Sequence, residues 1–303
     1  MVTYHEVKIG NTIIGGSLGS NTGLVVGSIF YDKHSVVKDP FTGEFDETRA
    51  AVLVDRVNKL SKRYGVQMAF DVIAASSEAM QRYLEFVSAH TSLPLLINAT
   101  EAEARVAGLE AAAKLGILDR CIYASLSVDT EDNELEALGR HRPAAVMILA
   151  SDVCDPTPEG SCEMIETYYL PMLREIGVTT PIVDVGTMDA PSIGLNIRQI
   201  QAIRERFGYP AGCAFSNCFP QWTSLRQLGK EWVNLSLGAS LVAIRAAGGD
   251  YLHYGIIEKA AISAHVAATA EMFYGYAAQE LDGYKLPGGH ALWKMFKLTE
   301  EQE

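Results

Sequence analysis

VQMAFDVIAASSEAMQRYLEFVSAHTSLPLLINAT, residues 66–100, is the stretch from which the fold is read. Its two ends, 66–73 and 94–100, are nearly unbroken apolar runs, as a strand buried on both faces of a parallel sheet requires. Between them, 77–89 reads as a helix opening on Ser77-Glu78. The same alternation recurs along the chain. Further strands are predicted at LVVGSIF (24–30), CIYASLSV (121–128), AAVMILAS (144–151), PIVDVG (181–186), AGCAFS (211–216) and DYLHYG (250–255). Helical patterns cover 46–64, 101–116, 131–139, 160–177, 190–207, 223–247 and 256–280; the first places Ala50, Val52, Leu53, Val57 and Leu60 on one face. Eight strand–helix units in about 260 residues predict an α/β fold, a (β/α)8 TIM barrel. A doubly wound sheet is the alternative, but the loop after the first strand, GSIFYDKHSV, has no GxGxxG. EVKIG, Asn11 and TIIGG predict a short N-terminal β-hairpin within residues 1–20, placed to plug the barrel bottom. No linker divides the chain, so 1–303 reads as one domain with a tail at 281–303.

Hydrophobic residues make up 48% of the 303 and charged residues 20%, which excludes a disordered chain. Lys plus Arg number 25 against 37 Asp plus Glu, a net charge of −12, and no basic run stands out; nucleic acid is not an expected partner. Cys121, Cys154, Cys162, Cys213 and Cys218 contain no CxxC and read as buried thiols in a reducing compartment. With neither an apolar signal core nor a stretch of ~20 apolar residues, the expected location is cytoplasmic.

In a barrel of this kind chemistry lies at the C-terminal ends of the strands. Those ends collect Ser28 and His34, Asp71, Asn98 with Thr100, Ser125 and Ser127, Ser151 and Asp152, Asp184, Ser216-Asn217, and Tyr254. An ionised Asp71 or Asp184 among apolar neighbours is costly without a partner, although either can bond a neighbouring loop. The segment AGCAFSNCFPQW (211–222) runs from small residues into the polar pair and breaks at Pro220. An Asn there can bond its own turn. It can equally donate and accept toward a flat heterocycle such as a pterin. No His or Cys cluster points to a metal, and no GxSxG to a nucleophile elbow. Of the histidines, His34 is placed near the mouth, His5, His90, His141 and His290 at the periphery, and His265 within a helix. Two carboxylates and two carboxamides suit a neutral, multiply hydrogen-bonding heterocycle and can tune a ring nitrogen's protonation.

The stretches VVGSIFYDKHSVV (25–37), FDVIAASSEAMQRYLEFV (70–87), INATEAEARVAGLEAA (97–112), PIVDVGTMDAPSIG (181–194), GCAFSN (212–217) and YLHYGIIEKA (251–260) resemble the H-subunit family of tetrahydromethanopterin S-methyltransferase. Similar members outside methanogens serve methylated-amine or glycine betaine demethylation. The resemblance implies a pterin-binding TIM barrel that moves a methyl group between N5 of a tetrahydropterin and the cobalt of cobalamin held by a partner corrinoid protein. It implies that Asp71, Asp184 and Asn217 hold the pterin, with Asn98, Ser125, Gly212 and Ser216 beside them. Met188, Phe219 and Trp222 are then candidates for the rim facing the corrinoid. Two departures stand at the pterin end: INAT (97–100) where methanogen members carry IDST, and Tyr123-Ala124-Ser125 where they carry YNS. These favour tetrahydrofolate as the pterin, with tetrahydromethanopterin the alternative.

Asn217 would serve N5 and Asp184 would assist it, most of the catalysis being positioning because the reacting atoms belong to the cofactors. A lyase using Asp184 as general base, and a non-catalytic scaffold for the corrinoid protein, are the competing classes. Tetrahydrofolate titration separates the first and activity of the isolated chain the second. A homodimer is expected, since barrels often pair.

Overall fold

Eight parallel strands close on themselves in the computed structural model, which describes residues 2–151 and 154–297. In chain order the strands are β1 (Glu6–Ile9), β2 (Thr12–Gly15), β3 (Leu24–Ile29), β4 (Val37–Asp39), β5 (Glu44–Phe45), β6 (Gln67–Ala74), β7 (Leu95–Ala99), β8 (Cys121–Leu126), β9 (Ala145–Leu149), β10 (Ile182–Asp184), β11 (Ala211–Cys213) and β12 (Tyr251–Ile256). β3 and β6 to β12 form the barrel, closed by parallel pairing of β12 with β3, with register shifts between His253 and Gly255 and between Tyr123 and Leu126. β1 and β2 are the expected hairpin, and β4–β5 is a second small ribbon after the first barrel strand.

The strand period of two sorts side chains between two cores. Val25, Met68, Phe70, Leu95, Ile97 and Val183 point outward to the helices. Leu24, Val26, Ala69, Leu96, Ile122, Met147 and Ile182 point inward, and Val7, Ile9 and Ile14 of the hairpin join them, plugging the barrel bottom. The next inward positions above that apolar fill are Ser28, Asp71, Asn98, Asp184 and His253. The polar layer at the mouth is therefore a consequence of strand register.

Each helix follows from its own chemistry. Glu47–Tyr64 is capped by Asp46, whose side chain accepts from Arg49 N, and ends at Gly65 in the left-handed region (φ 64°). Its buried residues are Ala50, Val54 and Val57; Val52, expected on the inner face, is 64% exposed, because the 100° step places 50, 54 and 57 together. Two helices expected as continuous are interrupted. Residues 158–175 run as α, π and α segments, and 223–246 breaks at Gly229 into Thr223–Leu228 and Lys230–Ala246.

Beneath the barrel, four buried charges form one network. Arg245 donates to Glu271 and Asp250, Arg204 pairs with Asp250, and Glu271 also accepts from Gly23 N (2.7 Å). Such charges persist in the interior only when mutually paired. Cys154 is exposed, unlike the other four cysteines, which are buried as expected. No described helix is long and apolar enough to cross a membrane.

Candidate active site

Asp71 is the centre of the polar layer and is 1% exposed. Its Oδ1 accepts from Asn98 Nδ2 (2.9 Å), and its Oδ2 from Ser28 Oγ (2.8 Å) and His253 Nε2 (3.0 Å). His253 Nδ1 accepts from Gly255 N (3.3 Å), so the ring hydrogen lies on Nε2, aimed at Asp71. Three donors converge on one buried carboxylate. This compensates its desolvation and fixes its plane.

Asp184 stands in the same layer, on β10. Its Oδ1 accepts from Gly186 N (2.8 Å). Burial pushes its pKa up from 3.8 to about 6, opposed by the Gly186 hydrogen bond, the nearby His253 and Ala214 N, and reinforced by Asp71. A carboxyl whose pKa is raised toward neutrality can hold or release a proton, the usual requirement of a general acid or base.

The Ser216-Asn217 pair is not a strand end. β11 stops at Cys213, and Phe215–Cys218 winds into a 3-10 turn, held by Asn217 N to Ala214 O (3.1 Å) and Phe219 N to Ser216 O (3.1 Å). The turn leaves the Asn217 carboxamide exposed, with no side-chain partner among the described residues. Ser216 Oγ is buried and equally unpartnered. Both line a cavity of about 680 Å³ that opens between the mouth and the helices after β11, together with Ser28, Tyr31, Phe219 and Tyr254. Ser28 is the bridge, since it borders the cavity and bonds Asp71.

Other expected site residues separate. Gly212 is the inward position of β11, where a Cβ would overlap the Tyr251 carbonyl; close strand packing accounts for it. Ser125 is half-buried within the irregular register between Tyr123 and Leu126. Ser127 caps its own turn, accepting from Asp129 N (3.2 Å), and Thr100 is exposed beyond β7. Of the fifth-strand pair, Ser151 is half-buried and Asp152 lies outside the described residues. Tyr254 points outward, its hydroxyl packed where a Cβ on Gly27 would be. Phe219 lines the cavity, while Trp222, stacked on it at 6.2 Å, borders a separate cleft with Asp189 and Pro191. Met188 is exposed on the loop after β10.

His34 is at the mouth as expected. Its Nδ1 accepts from Phe30 N (3.0 Å) and its Nε2 faces Glu258 (3.1 Å), whose other oxygen accepts from Tyr31 (3.2 Å). The His34 hydrogen bond holds the Glu258 carboxyl below its ordinary range. His290 is not peripheral but buried beside Gly275, and burial lowers its pKa. His253 is the residue that sequence reasoning missed. The signal was present: in DYLHYG strict alternation puts Tyr251 and His253 inward and Tyr254 outward.

The model of the family described as tetrahydromethanopterin S-methyltransferase MtrH subunit matches residues 4–284. The chain belongs to this methyltransferase family. The H subunit of tetrahydromethanopterin S-methyltransferase from Methanothermobacter marburgensis is 32% identical over 301 residues, covering 95% of this chain and 96% of that protein. Its counterpart from Methanocaldococcus jannaschii is 28% identical, over 91% and 92%. Among solved structures, dihydropteroate synthase from Yersinia pestis with a pterine-sulfa conjugate superposes with a TM-score of 0.61 at 10% identity, over 89% of this chain and 98% of that one. The Xanthomonas albilineans enzyme superposes with a TM-score of 0.60 at 14% identity, over 92% and 100%. At these identities the likeness concerns the barrel alone. The strand order and the N-terminal hairpin of this MtrH family member agree with the sequence reading.

Proposed function

We propose that this member of the MtrH family moves a methyl group between N5 of a tetrahydropterin and the cobalt of a corrinoid carried by a partner protein. The observation that carries the reading is that Asn217, its carboxamide unbonded among the described residues, lines a cavity that Ser28 joins to the buried Asp71, in the polar layer that also holds Asp184. The donor set fits a pterin. Carboxylates suit its amino-pyrimidine edge, and the unpartnered Ser216 Oγ and Asn217 amide offer further bonds from the cavity wall. Asp71, fixed by Asn98, Ser28 and His253, orients the ring. Asp184 holds or releases a proton at the ring. Asn217 turns its carboxamide to donate to N5 when N5 leaves, or to accept from it when N5 is the nucleophile. The corrinoid, when docked, supplies the cobalt that carries the methyl group. Phe219, Trp222 and Met188 form the rim toward it.

The names of the relatives favour tetrahydromethanopterin as the pterin. Tetrahydrofolate is the second reading, and Asn98 favours it: a carboxamide donating to Asp71 stands where methanogen members have a carboxylate. A methyl-transfer assay with free methylcobalamin, comparing the two pterins, tests both. No transfer to either refutes the proposal. Three companion proposals are a single domain spanning the chain, a cytoplasmic location and a homodimer. Exposed Trp232 and Leu235 on one helix, and Phe273 and Tyr276 on another, supply apolar surface for pairing. Sedimentation tests that state.

A further inference from the structure

The wall of the mouth cavity has an unusual charge. In a chain of net charge −12, its lining among the described residues includes Arg226, Lys230 and Lys259 and no carboxylate. Among the described residues none of the three forms an ion pair. Arg226 donates to the Pro220 carbonyl (3.0 Å) and Lys259 to Asn234 Oδ1 (2.5 Å). Lys259 is half-buried, and its ammonium is held below the usual lysine range by burial and then by the charge of Lys230. Two cations that feel each other's charge and have no counter-charge among the described residues repel unless something negative lies between or beside them.

Further features point the same way. Ser216, 8% exposed as a residue, lines this cavity, and its hydroxyl has no partner among the described residues. Gly255 adopts φ 87°, and a Cβ there would come within 2.8 Å of Ser216 Oγ, filling the space before that hydroxyl. The helix Lys230–Ala246 begins at Gly229 with no side-chain cap, so the positive end of a 17-residue helix and its free N–H groups remain available on the same wall. The lining also holds apolar Ile73, Phe219, Val233 and Leu237, the last two on the helix that carries Lys230. The volume, about 680 Å³, exceeds what a lone oxyanion needs and lies in the range of a small-molecule site.

We infer that this cavity is a subsite for an amphipathic anion, in which an aryl or alkyl arm lies on the apolar wall and a carboxylate or phosphate ends among Arg226, Lys230 and Lys259. The inference rests on the proposed pterin reading and extends it. The ring at Asp71 and Asp184 would be one end of a ligand whose acidic tail occupies this cavity. A phosphodiester on the docked corrinoid is the other source of the same chemistry.

The test compares the wild-type chain with a Lys230→Gln/Lys259→Gln variant. Three probes are used: 6-methyltetrahydropterin, which has no acidic tail; tetrahydrofolate, which has one; and free methylcobalamin, which bears a phosphodiester. The wild type should bind tetrahydrofolate about tenfold or more tightly than the tailless pterin at low salt, and high salt should erode that gap. The variant should lose most of the gap while binding the tailless pterin as before. If the loss falls instead on the KM for methylcobalamin, the subsite stands and the corrinoid is its occupant. Unchanged values for both anionic probes overturn the inference. If the wild type binds neither pterin, the pterin reading fails, and the methylcobalamin arm alone decides the subsite. Should the double variant fold poorly, the exposed Lys230→Gln replacement carries the comparison.

Discussion

Replacing Asp184 with Asn should stabilise this protein, and by an amount that grows with pH. Asp184 is buried, and its pKa is raised from 3.8 to about 6 chiefly by that burial. A carboxyl whose folded pKa lies above its unfolded value binds its proton more tightly in the native state. The stability associated with that proton is complete below the unfolded pKa and is lost as pH rises through about 6. A shift of ~2 pKa units corresponds to a penalty of ~3 kcal/mol once the group is ionised. Asn has no proton to lose, and its Oδ1 can still accept from Gly186 N, now at 2.8 Å from the carboxylate. Integrating the two titrations, the advantage of Asp184→Asn should grow by ~1.3 kcal/mol between about pH 5 and about pH 7, then level off. Urea unfolding of both proteins at several pH values measures it directly. Methyl transfer should fall in the same variant, separating stability from function at this residue. A stability difference that is flat with pH, or that shrinks as pH rises, refutes the assignment of a buried, neutral-titrating carboxyl here.

Asn217→Ala removes an exposed amide with no partner among the described residues, so the unfolding midpoint should hold while kcat/KM falls by about 30-fold, ~2 kcal/mol of transition-state stabilisation. Unchanged turnover with methylcobalamin and either pterin would remove Asn217 from the chemistry. His253→Ala takes away one of three donors to Asp71 and should lower kcat/KM by about tenfold, with His253→Gln, which can still donate, recovering most of it. Equal losses in both variants would make His253 a packing residue only. Glu271→Ala strips Arg245, itself 1% exposed, of its nearer counter-charge and leaves Gly23 N without an acceptor; calorimetry should show ~3–5 kcal/mol of lost stability. A loss under about 1 kcal/mol would mean that Asp250 alone suffices.

Local pattern and strand period made the barrel, the hairpin and most of the mouth legible in the chain. A strand buried on both faces has to be apolar almost throughout, so 24–30, 66–73 and 94–100 announced themselves, and an aspartate inside such a run is conspicuous. That is why Asp71 and Asp184 stand out in the sequence alone, on two different strands. The misses share a cause. His253 and Tyr254 are neighbours in one strand, and only the facing of that strand in the closed ring tells which reaches the interior. Ser216 and Asn217 were recognised as a polar pair, but the 3-10 turn that exposes one and buries the other depends on packing against β12 and its Gly255.

What the sequence determined by itself is what short-range chemistry controls: alternation of strand and helix, the polar strand ends, and the motifs that resemble the H-subunit family. What the tertiary structure decided is which of those groups meet. Ring closure brings β12 beside β3, and so places His253 on Asp71 across 182 positions of sequence. The same closure buries Asp184 deeply enough to move its pKa, and gathers Arg226, Lys230 and Lys259 around one cavity. Desolvation and charge coupling depend on distances through space, and no local pattern encodes those distances.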